Sequence, residues 1–222
     1  MGSLYLVRHG QASLGAVNYD QLSALGVQQC HHLGAYFASH GTRFAAVYTG
    51  TLMRHAQSLQ ALAEGYGQPL VPQVRAGLDE YKPESLVRAV HAGELPQPGT
   101  PEANKQHFRL LRTGLLAWMQ GETAPAEMPA YADFLAGALA VLAEAHAHQQ
   151  GHVLIVSSGG PISALVGHLL GAAAPGVVEL NLRIRNSAVT ELQSHAKGHG
   201  LLSFNGLPHL DTVALRSLHS YA

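Results

Sequence analysis

A basic pair stands directly after the first apolar run of the chain. Arg8 and His9 follow the segment SLYLV and precede Gly10 and Gln11. A guanidinium offers a planar set of donors that matches phosphate oxygens, and a neutral imidazole can act as a nucleophile or base near pH 7. Glycine lets backbone amides approach an anion. These residue types favour an oxyanion site, and a surface Arg–His pair that ends a strand is the alternative.

Arg54 stands near the start of a predicted helix, for which Thr49 or Thr51 is the candidate N-cap. A cation in the first helical turn is mildly disfavoured by the helix dipole, so an arginine there indicates an anion beside it. A solvated surface arginine is the alternative. Further along, Asp79 and Glu80 follow a predicted strand. A carboxylate that faces a basic site could be a general acid if burial raises its pKa, although neighbouring loop carboxylates are more often surface charge.

In the segment VLIVSSGGP, residues 153–161, a predicted buried strand ends at two serines and two glycines, and a predicted helix begins directly after them. Gly159 and Gly160 leave the backbone accessible at a helix N-terminus, where amides and the dipole favour an anion. A tight turn with Ser157 or Ser158 as the N-cap is the structural alternative.

Alternating helices and strands must position these residues. Apolar patterns predict strands at 3–7, 44–48, 70–74, 153–156, 179–192 and 201–204, and helices at 23–39, 52–66, 100–119, 130–149 and 161–170. This alternation favours an α/β fold, a three-layer sandwich with a central, mostly parallel sheet and helices on both faces. Sites in such sheets lie outside the carboxyl ends of the strands. Residues from about 82 to 130 are rich in proline and polar turns and predict a cap insertion within a single domain, 1–222.

Composition narrows the class of protein. The 222 residues carry a net charge of −1 with no basic block, which argues against non-specific nucleic-acid binding. No apolar run approaches about 18 residues, and the first residues do not form a signal peptide, so no membrane partner is expected. Cys30 is the single cysteine, which agrees with a reducing, cytoplasmic compartment. Despite 15 histidines, no HExxH motif or Cys/His ladder occurs, so neither a metal nor a cofactor is predicted.

The order and spacing of these motifs resemble the histidine phosphatase superfamily, which has the phosphoglycerate mutase-like fold. The resemblance rests on RHG after the first strand, on the YTGTLMR segment that ends at Arg54, and on the LDE loop that ends at Glu80. Two further segments are similar to family motifs: YDQLSALGVQ from Tyr19 to Gln28, and RNSAVT from Arg185 to Thr190.

The resemblance implies a role for each matching residue. His9 would form a phosphohistidine, Arg8 and Arg54 would clamp the phosphoryl oxygens, and Glu80 would act as the acid and then the base. Gly10 and Gln11 would line the phosphate pocket, and Ser158 and Gly159 would complete it. Two guanidinium groups can supply the charge stabilisation that phosphoryl transfer needs without a metal.

One position departs from the family pattern, which has a second histidine in a run such as VSHGG. Here Ser158 stands at that position. Losing one charge-assisted hydrogen bond is worth roughly 1.5–3 kcal/mol, or about 10- to 100-fold in rate. His55 or His107 could substitute. We therefore expect a phosphatase acting on a small phosphorylated substrate, with a mutase-type phosphotransferase or a non-catalytic phospho-ligand binder as alternatives. The sequence does not decide between a monomer and a homodimer.

Overall fold

The computed structural model describes residues 2–13, 20–93, 100–148, 150–196 and 198–221. Within these ranges the chain forms a six-stranded sheet with helices around it. The strands are β1 (Ser3–Arg8), β2 (Phe44–Thr49), β3 (Gln73–Val74), β4 (His152–Ser157), β5 (Val189–His195) and β6 (Gly198–Gly206). Their order across the sheet is β3-β2-β4-β1-β5-β6, with β3, β2, β4 and β1 parallel and with β5 and β6 added antiparallel. The predicted mostly parallel α/β sheet is therefore confirmed.

Helices cover both faces of the sheet. They are α1 (Ala24–Ser39), α2 (Met53–Tyr66), α3 (Pro83–Val90), α4 (Pro101–Met119), α5 (Tyr131–His146), α6 (Gly159–Leu170) and α7 (Ala174–Arg183). Side chains of β4 alternate between two buried apolar clusters, with Val153 and Ile155 in one and Leu154 and Val156 in the other. The first cluster contains residues of α5 and α6, and the second contains residues of α1 and α2. Apolar side chains cover both faces of β4 and exclude water from them, which explains why its segment VLIV contains only apolar residues.

The predicted cap region contains two helices, α3 and α4, with residues 94–99 outside the described ranges. Thr100 is the N-cap of α4, as the sequence predicts, and its side chain accepts a hydrogen bond from the amide of Ala103. Helix α3 was not predicted. Its Leu86 and Val87 join α4 and α7 in a third apolar cluster, which lies beside α5.

One strand prediction is wrong in its first half. Residues 179–183 belong to helix α7, and only residues 189–192 of the predicted range lie in a strand, β5, which continues to His195. Pro175 lies in the first turn of α7, a position where proline favours a helix. Val178 and Leu182, four residues apart, both contact the cap cluster, which is helical spacing. In the described part of the chain, no helix is both long and apolar enough to cross a membrane.

Candidate active site

The site lies at the edge of the sheet where the parallel strands end. In the sheet register Arg8 lies opposite Ser157 and Thr49 lies opposite Val156, so the ends of β1, β2 and β4 meet. The amide of His9 continues this pairing by donating to the carbonyl of Ser157 at 2.9 Å. The topology therefore brings together the motifs that the sequence placed about 40 and 150 residues apart.

His9 is held with one ring nitrogen fixed and the other facing a guanidinium. Its side chain is buried, with only 5% of the residue exposed. Nδ1 lies 2.7 Å from the carbonyl of Gly10 and must donate, because that oxygen can only accept. Nε2 accepts from Nε of Arg54 at 3.3 Å, so Nε2 is the unprotonated nitrogen of the ring. Burial, then the charge of Arg8, holds the pKa of His9 well below its usual value, which keeps the ring neutral.

Arg54 is oriented by a carboxylate that sequence reasoning missed as a functional group. One guanidinium nitrogen lies 2.7 Å from the carboxylate of Asp20, which also accepts from the amide of Met53 at 2.8 Å. Asp20 therefore takes the N-terminal amides of α2, and the predicted caps Thr49 and Thr51 are wrong. The helix begins after Leu52, which makes no side-chain capping bond. The anion that the sequence predicted beside Arg54 is, in this structure, Asp20.

Arg8 reaches the loop before β5. Its side chain is 6% exposed and its guanidinium donates to the carbonyl of Ile184. Gly159 stands beside it, since a Cβ added there would lie 3.8 Å from Nε of Arg8. In the same loop Asn186 is buried and its side chain accepts from the hydroxyl of Ser220 at 2.9 Å.

The backbone after His9 is fixed by neighbouring side chains. The amide of Gly10 donates to Ser58 Oγ at 3.0 Å, and the amide of Gln11 donates to Oε1 of Gln29 at 3.0 Å. Gln11 Oε1 in turn accepts from the hydroxyl of Ser23, the N-cap of α1. The glutamine that holds this backbone is therefore the buried Gln29. Gln28, which ends the segment YDQLSALGVQ that is similar to a family motif, is exposed. Tyr19 lies outside the described residues.

Glu80 lies at the N-terminus of α6. The amide of Gly160 is 3.1 Å from Oε1 and 3.2 Å from Oε2, and the amide of Tyr81 donates to Oε1 at 3.2 Å. Burial raises the pKa of Glu80 above its usual value, although these amides and the two arginines act against it. The amide of Gly160, predicted to face phosphate, therefore holds the carboxylate that was predicted to be the acid.

The side chains of the two serines of the corner have different partners, and neither makes a capping hydrogen bond with α6. Ser157 donates to the carbonyl of Leu78 at 2.7 Å. Ser158, fully buried, lies 2.7 Å from Nε2 of His55. Ser158 occupies the N-cap position of α6, as the structural alternative predicts, but its hydroxyl contacts His55 and makes no capping hydrogen bond with a helix amide. Of the two histidines that could substitute for the missing one, His55 lies at Ser158, whereas His107 is half-buried on α4 beside Phe108.

The arrangement can bind a tetrahedral oxyanion and transfer a group to nitrogen. It combines a neutral imidazole whose unprotonated Nε2 contacts Arg54, two guanidinium groups and a carboxyl group with a raised pKa. Over the described ranges, no group of three or more histidine, cysteine or acidic side chains is arranged to hold a metal ion.

Comparison with known proteins agrees with this geometry. The family model of the histidine phosphatase superfamily (branch 1) matches residues 4–206. A 2,3-bisphosphoglycerate-dependent phosphoglycerate mutase of Rhizobium etli is 34% identical over 80 residues, 33% of this chain. The chain covers only 38% of the length of that relative.

Solved structures of low sequence identity share the fold. A phosphoserine phosphatase of Entamoeba histolytica, in complex with phosphoserine, superposes with a TM-score of 0.64 at 19% identity, over 95% of this chain and 100% of that one. A mycobacterial glucosyl-3-phosphoglycerate phosphatase gives a TM-score of 0.64 at 22% identity, over 93% and 99% of the two chains.

Proposed function

The chain belongs to the histidine phosphatase superfamily, and we propose that it hydrolyses small phosphomonoesters through a phosphohistidine on His9. The observation on which the proposal depends is which nitrogen of the His9 ring carries the proton. Nδ1 is committed as a donor to the carbonyl of Gly10, so Nε2 is unprotonated, and its lone pair becomes free to attack when Arg54 turns from Nε2 to the phosphoryl oxygens. The phosphatase names of the structural relatives support hydrolysis rather than transfer.

In the first half-reaction Nε2 of His9 attacks phosphorus, and the bond from phosphorus to the ester oxygen breaks. Arg8 and Arg54 stabilise the charge on the phosphoryl oxygens. Glu80, whose raised pKa favours the protonated form, gives its proton to the leaving oxygen. The hydrogen bond from Nδ1 to Gly10 stabilises the positive charge that develops on the ring.

In the second half-reaction water attacks the phosphohistidine. Glu80, now a carboxylate, accepts a proton from that water as the new phosphorus–oxygen bond forms and the bond to Nε2 breaks. Inorganic phosphate leaves, and both residues return to their starting protonation states. Every step uses side chains of this chain, so the proposal requires no metal ion.

Two alternative functions predict a different fate for the phosphoryl group. The curated relatives favour a phosphoglycerate mutase, which would return the phosphoryl group from His9 to a phosphoglycerate instead of water. Ser158, in place of a second histidine, favours a binder that holds phosphorylated ligands without turnover. A mutase would interconvert phosphoglycerates with a bisphosphate primer, and a binder would retain phosphate without releasing it from any ester.

The test is phosphate release from p-nitrophenyl phosphate and from a panel that includes phosphoserine, 3-phosphoglycerate and glucosyl-3-phosphoglycerate. The matched control is His9→Asn, since an asparagine amide can still donate to the carbonyl of Gly10. We expect release by the native chain, an acid-labile phosphoenzyme after rapid quench, and neither in the variant. Equal hydrolysis by both proteins would refute the assignment of His9.

A further inference from the structure

A buried histidine lies behind Ser158, at the place where the chain departs from its family. His55 is 0% exposed, and its Nε2 is 2.7 Å from the Ser158 hydroxyl, itself 0% exposed. The ring of His55 lies 5.7 Å from the ring of His9, centroid to centroid. Ser158 is the N-cap residue of α6, but its hydroxyl makes no capping hydrogen bond, so capping does not explain this hydroxyl.

The far side of the His55 ring faces a carboxylate. Nδ1 lies 3.8 Å from Oδ1 of Asp79 and has no hydrogen-bond partner among the described residues. Asp79 is held by the amide and hydroxyl of Thr51, at 2.6 and 2.5 Å. A carboxylate near Nδ1 favours a proton on that nitrogen, so in the empty site Nε2 accepts the proton of Ser158.

Gly50 leaves the space that the His55 ring and the Asp79 carboxylate occupy. A Cβ added to Gly50 would lie 2.3 Å from Nδ1 of His55 and 2.4 Å from Oδ1 of Asp79. Both distances are shorter than any van der Waals contact. Only glycine at position 50 therefore allows the imidazole and the carboxylate to lie together here.

We propose that His55 is a positioning residue that acts through Ser158: when an oxyanion binds, His55 takes up a proton and Ser158 turns its own proton to that anion. Asp79 then accepts from Nδ1, and Nε2 donates to Ser158 Oγ. The positive charge that the family pattern places at position 158 is thereby retained behind Ser158. This inference rests on the proposed function for its role in turnover, but the binding step can be tested without turnover.

The charges around the ring decide when it is protonated. Burial, then the charge of Arg54, lowers the pKa of His55 to about 3 in the empty site, against a smaller opposing effect of Asp20. His9 faces it across the site and Asp79 lies behind it. An incoming dianion adds two negative charges on the side of Arg54 and so favours the imidazolium of His55.

The experiment measures proton uptake when sulfate binds. Sulfate stays fully dianionic near neutral pH, so a proton taken up belongs to the protein. Calorimetric titration in two buffers of different ionisation enthalpy should give proton uptake by the native chain that is small near pH 7 and increases toward about pH 5.5, because the bound dianion raises a pKa that starts at about 3. His55→Gln keeps a donor near the position of Nε2 but cannot titrate, and should abolish the uptake while retaining part of the affinity.

Three variants make the result decisive. His9→Asn should keep the uptake; if it loses the uptake and His55→Gln keeps it, the proton is on His9 and the proposal is wrong. His152→Gln is the matched control, because His152 accepts from the amide of Ser3 at the opposite end of β4. We expect it to behave as the native chain.

A reciprocal exchange tests the role in turnover. Ser158→Ala and His55→Ala should each lower kcat/KM roughly 10- to 100-fold, and the double variant should be no worse than either single one. Ser158→His alone should place two imidazoles in one buried space and lose activity, whereas Ser158→His with His55→Ala should recover it. Additive single effects, or no recovery in folded protein, would overturn the pairing. If no protein turns over any ester but uptake on sulfate still depends on His55, the proposed function fails and this inference stands.

Discussion

The carboxylate of Glu80 accepts from the backbone amide of Gly160 with both oxygens, at 3.1 and 3.2 Å. An amide in the first turn of α6 thus holds the proposed acid instead of an external anion. This contact favours the charged carboxylate, while burial favours the protonated acid, and the net effect is a raised pKa. A group balanced in this way can give a proton in one step and recover it in the next.

Replacing Glu80 by glutamine should make the rate depend strongly on the leaving group. Glu80→Gln cannot protonate the leaving oxygen, so hydrolysis of an alkyl phosphate should fall roughly 100- to 10,000-fold. Hydrolysis of p-nitrophenyl phosphate should fall far less, because nitrophenolate leaves without a proton. Steady-state kinetics on both esters measures the difference, and equal losses would contradict the role of Glu80 as an acid.

The same variant should change stability with pH. A carboxyl group whose pKa is raised by folding contributes stability below its unfolded pKa, and this contribution is lost as pH rises through the folded pKa. We therefore expect Glu80→Gln to raise the Tm at about pH 8 and to leave it unchanged at about pH 4. Glu84→Gln is a control on the exposed face of α3. A lower Tm of Glu80→Gln at the higher pH would be inconsistent with a destabilising carboxylate.

A single methyl group at position 160 should displace the acid. In Gly160→Ala the added Cβ would lie 2.1 Å from Oε1 of Glu80 and 2.7 Å from the ring of Tyr81. We expect a loss of kcat close to that of Glu80→Gln, with the binding of sulfate by the arginines largely retained. Gly176→Ala on α7 is the control, because its nearest neighbour would be 3.5 Å away. Full activity of Gly160→Ala would show that Glu80 need not stay on this amide.

The sequence predicted the parts of the site that lie next to strand ends. Of the contacts across the fold, it missed that of Asp20 with Arg54, and it named His55 only as one of two histidines that could act at position 158. Arg8, His9 and Glu80 could be predicted because residues after parallel strands meet at one edge of a sheet. The contacts of Asp20 with Arg54, and of His55 with Ser158, join residues 34 and 103 positions apart. No local pattern marks such pairs.

The errors in the elements have physical reasons as well. Alternating apolar residues in VVELNL fit a strand as well as a short helix, and packing of Val178 against the cap decided for α7. Helix α3 offers only eight residues, too few for a clear period. Asp20 took the place of the predicted helix caps because a carboxylate from a distant loop can bind the same amides.

Three buried histidines should make the fold sensitive to acid. Burial keeps the pKa of His9 well below its ordinary value and lowers those of His55 and His209 to about 3. Folding stability from a depressed histidine pKa is present above the unfolded value of about 6.5 and falls as pH drops below it. At about pH 5.5 His55 and His209 each cost about 1.4 kcal/mol, or about 3 kcal/mol together, and His9 acts in the same direction.

Urea denaturation at about pH 7.5 and pH 5.5 measures this loss. His209→Gln should reduce the loss by about 1.4 kcal/mol, since His209 bonds Ser187 at 2.9 Å and lies outside the proposed chemistry. His31→Gln, at an exposed position, should leave the loss unchanged. A loss that is the same in all three proteins would mean that His209 is not buried in the neutral form.

Removing the charge of Asp20 should strengthen the binding of phosphate while slowing the reaction. Asp20 lies 2.7 Å from the guanidinium of Arg54 and offsets part of its charge. In Asp20→Asn the inhibition constant of inorganic phosphate should fall, roughly two- to fivefold, because the uncompensated arginine attracts the anion more strongly. The value of kcat should also fall, because Arg54 loses the partner that aligns its Nε with Nε2 of His9.

Asp20→Ala separates this electrostatic effect from the effect on the helix. Asparagine retains an acceptor for the amide of Met53, whereas alanine leaves the N-terminus of α2 without it. We expect Asp20→Ala to lose about 1 kcal/mol of stability by urea denaturation and Asp20→Asn to lose less, while both change phosphate inhibition in the same direction. Weaker inhibition in Asp20→Asn would mean that Asp20 orients Arg54 for binding and that its charge does not compete with the ligand.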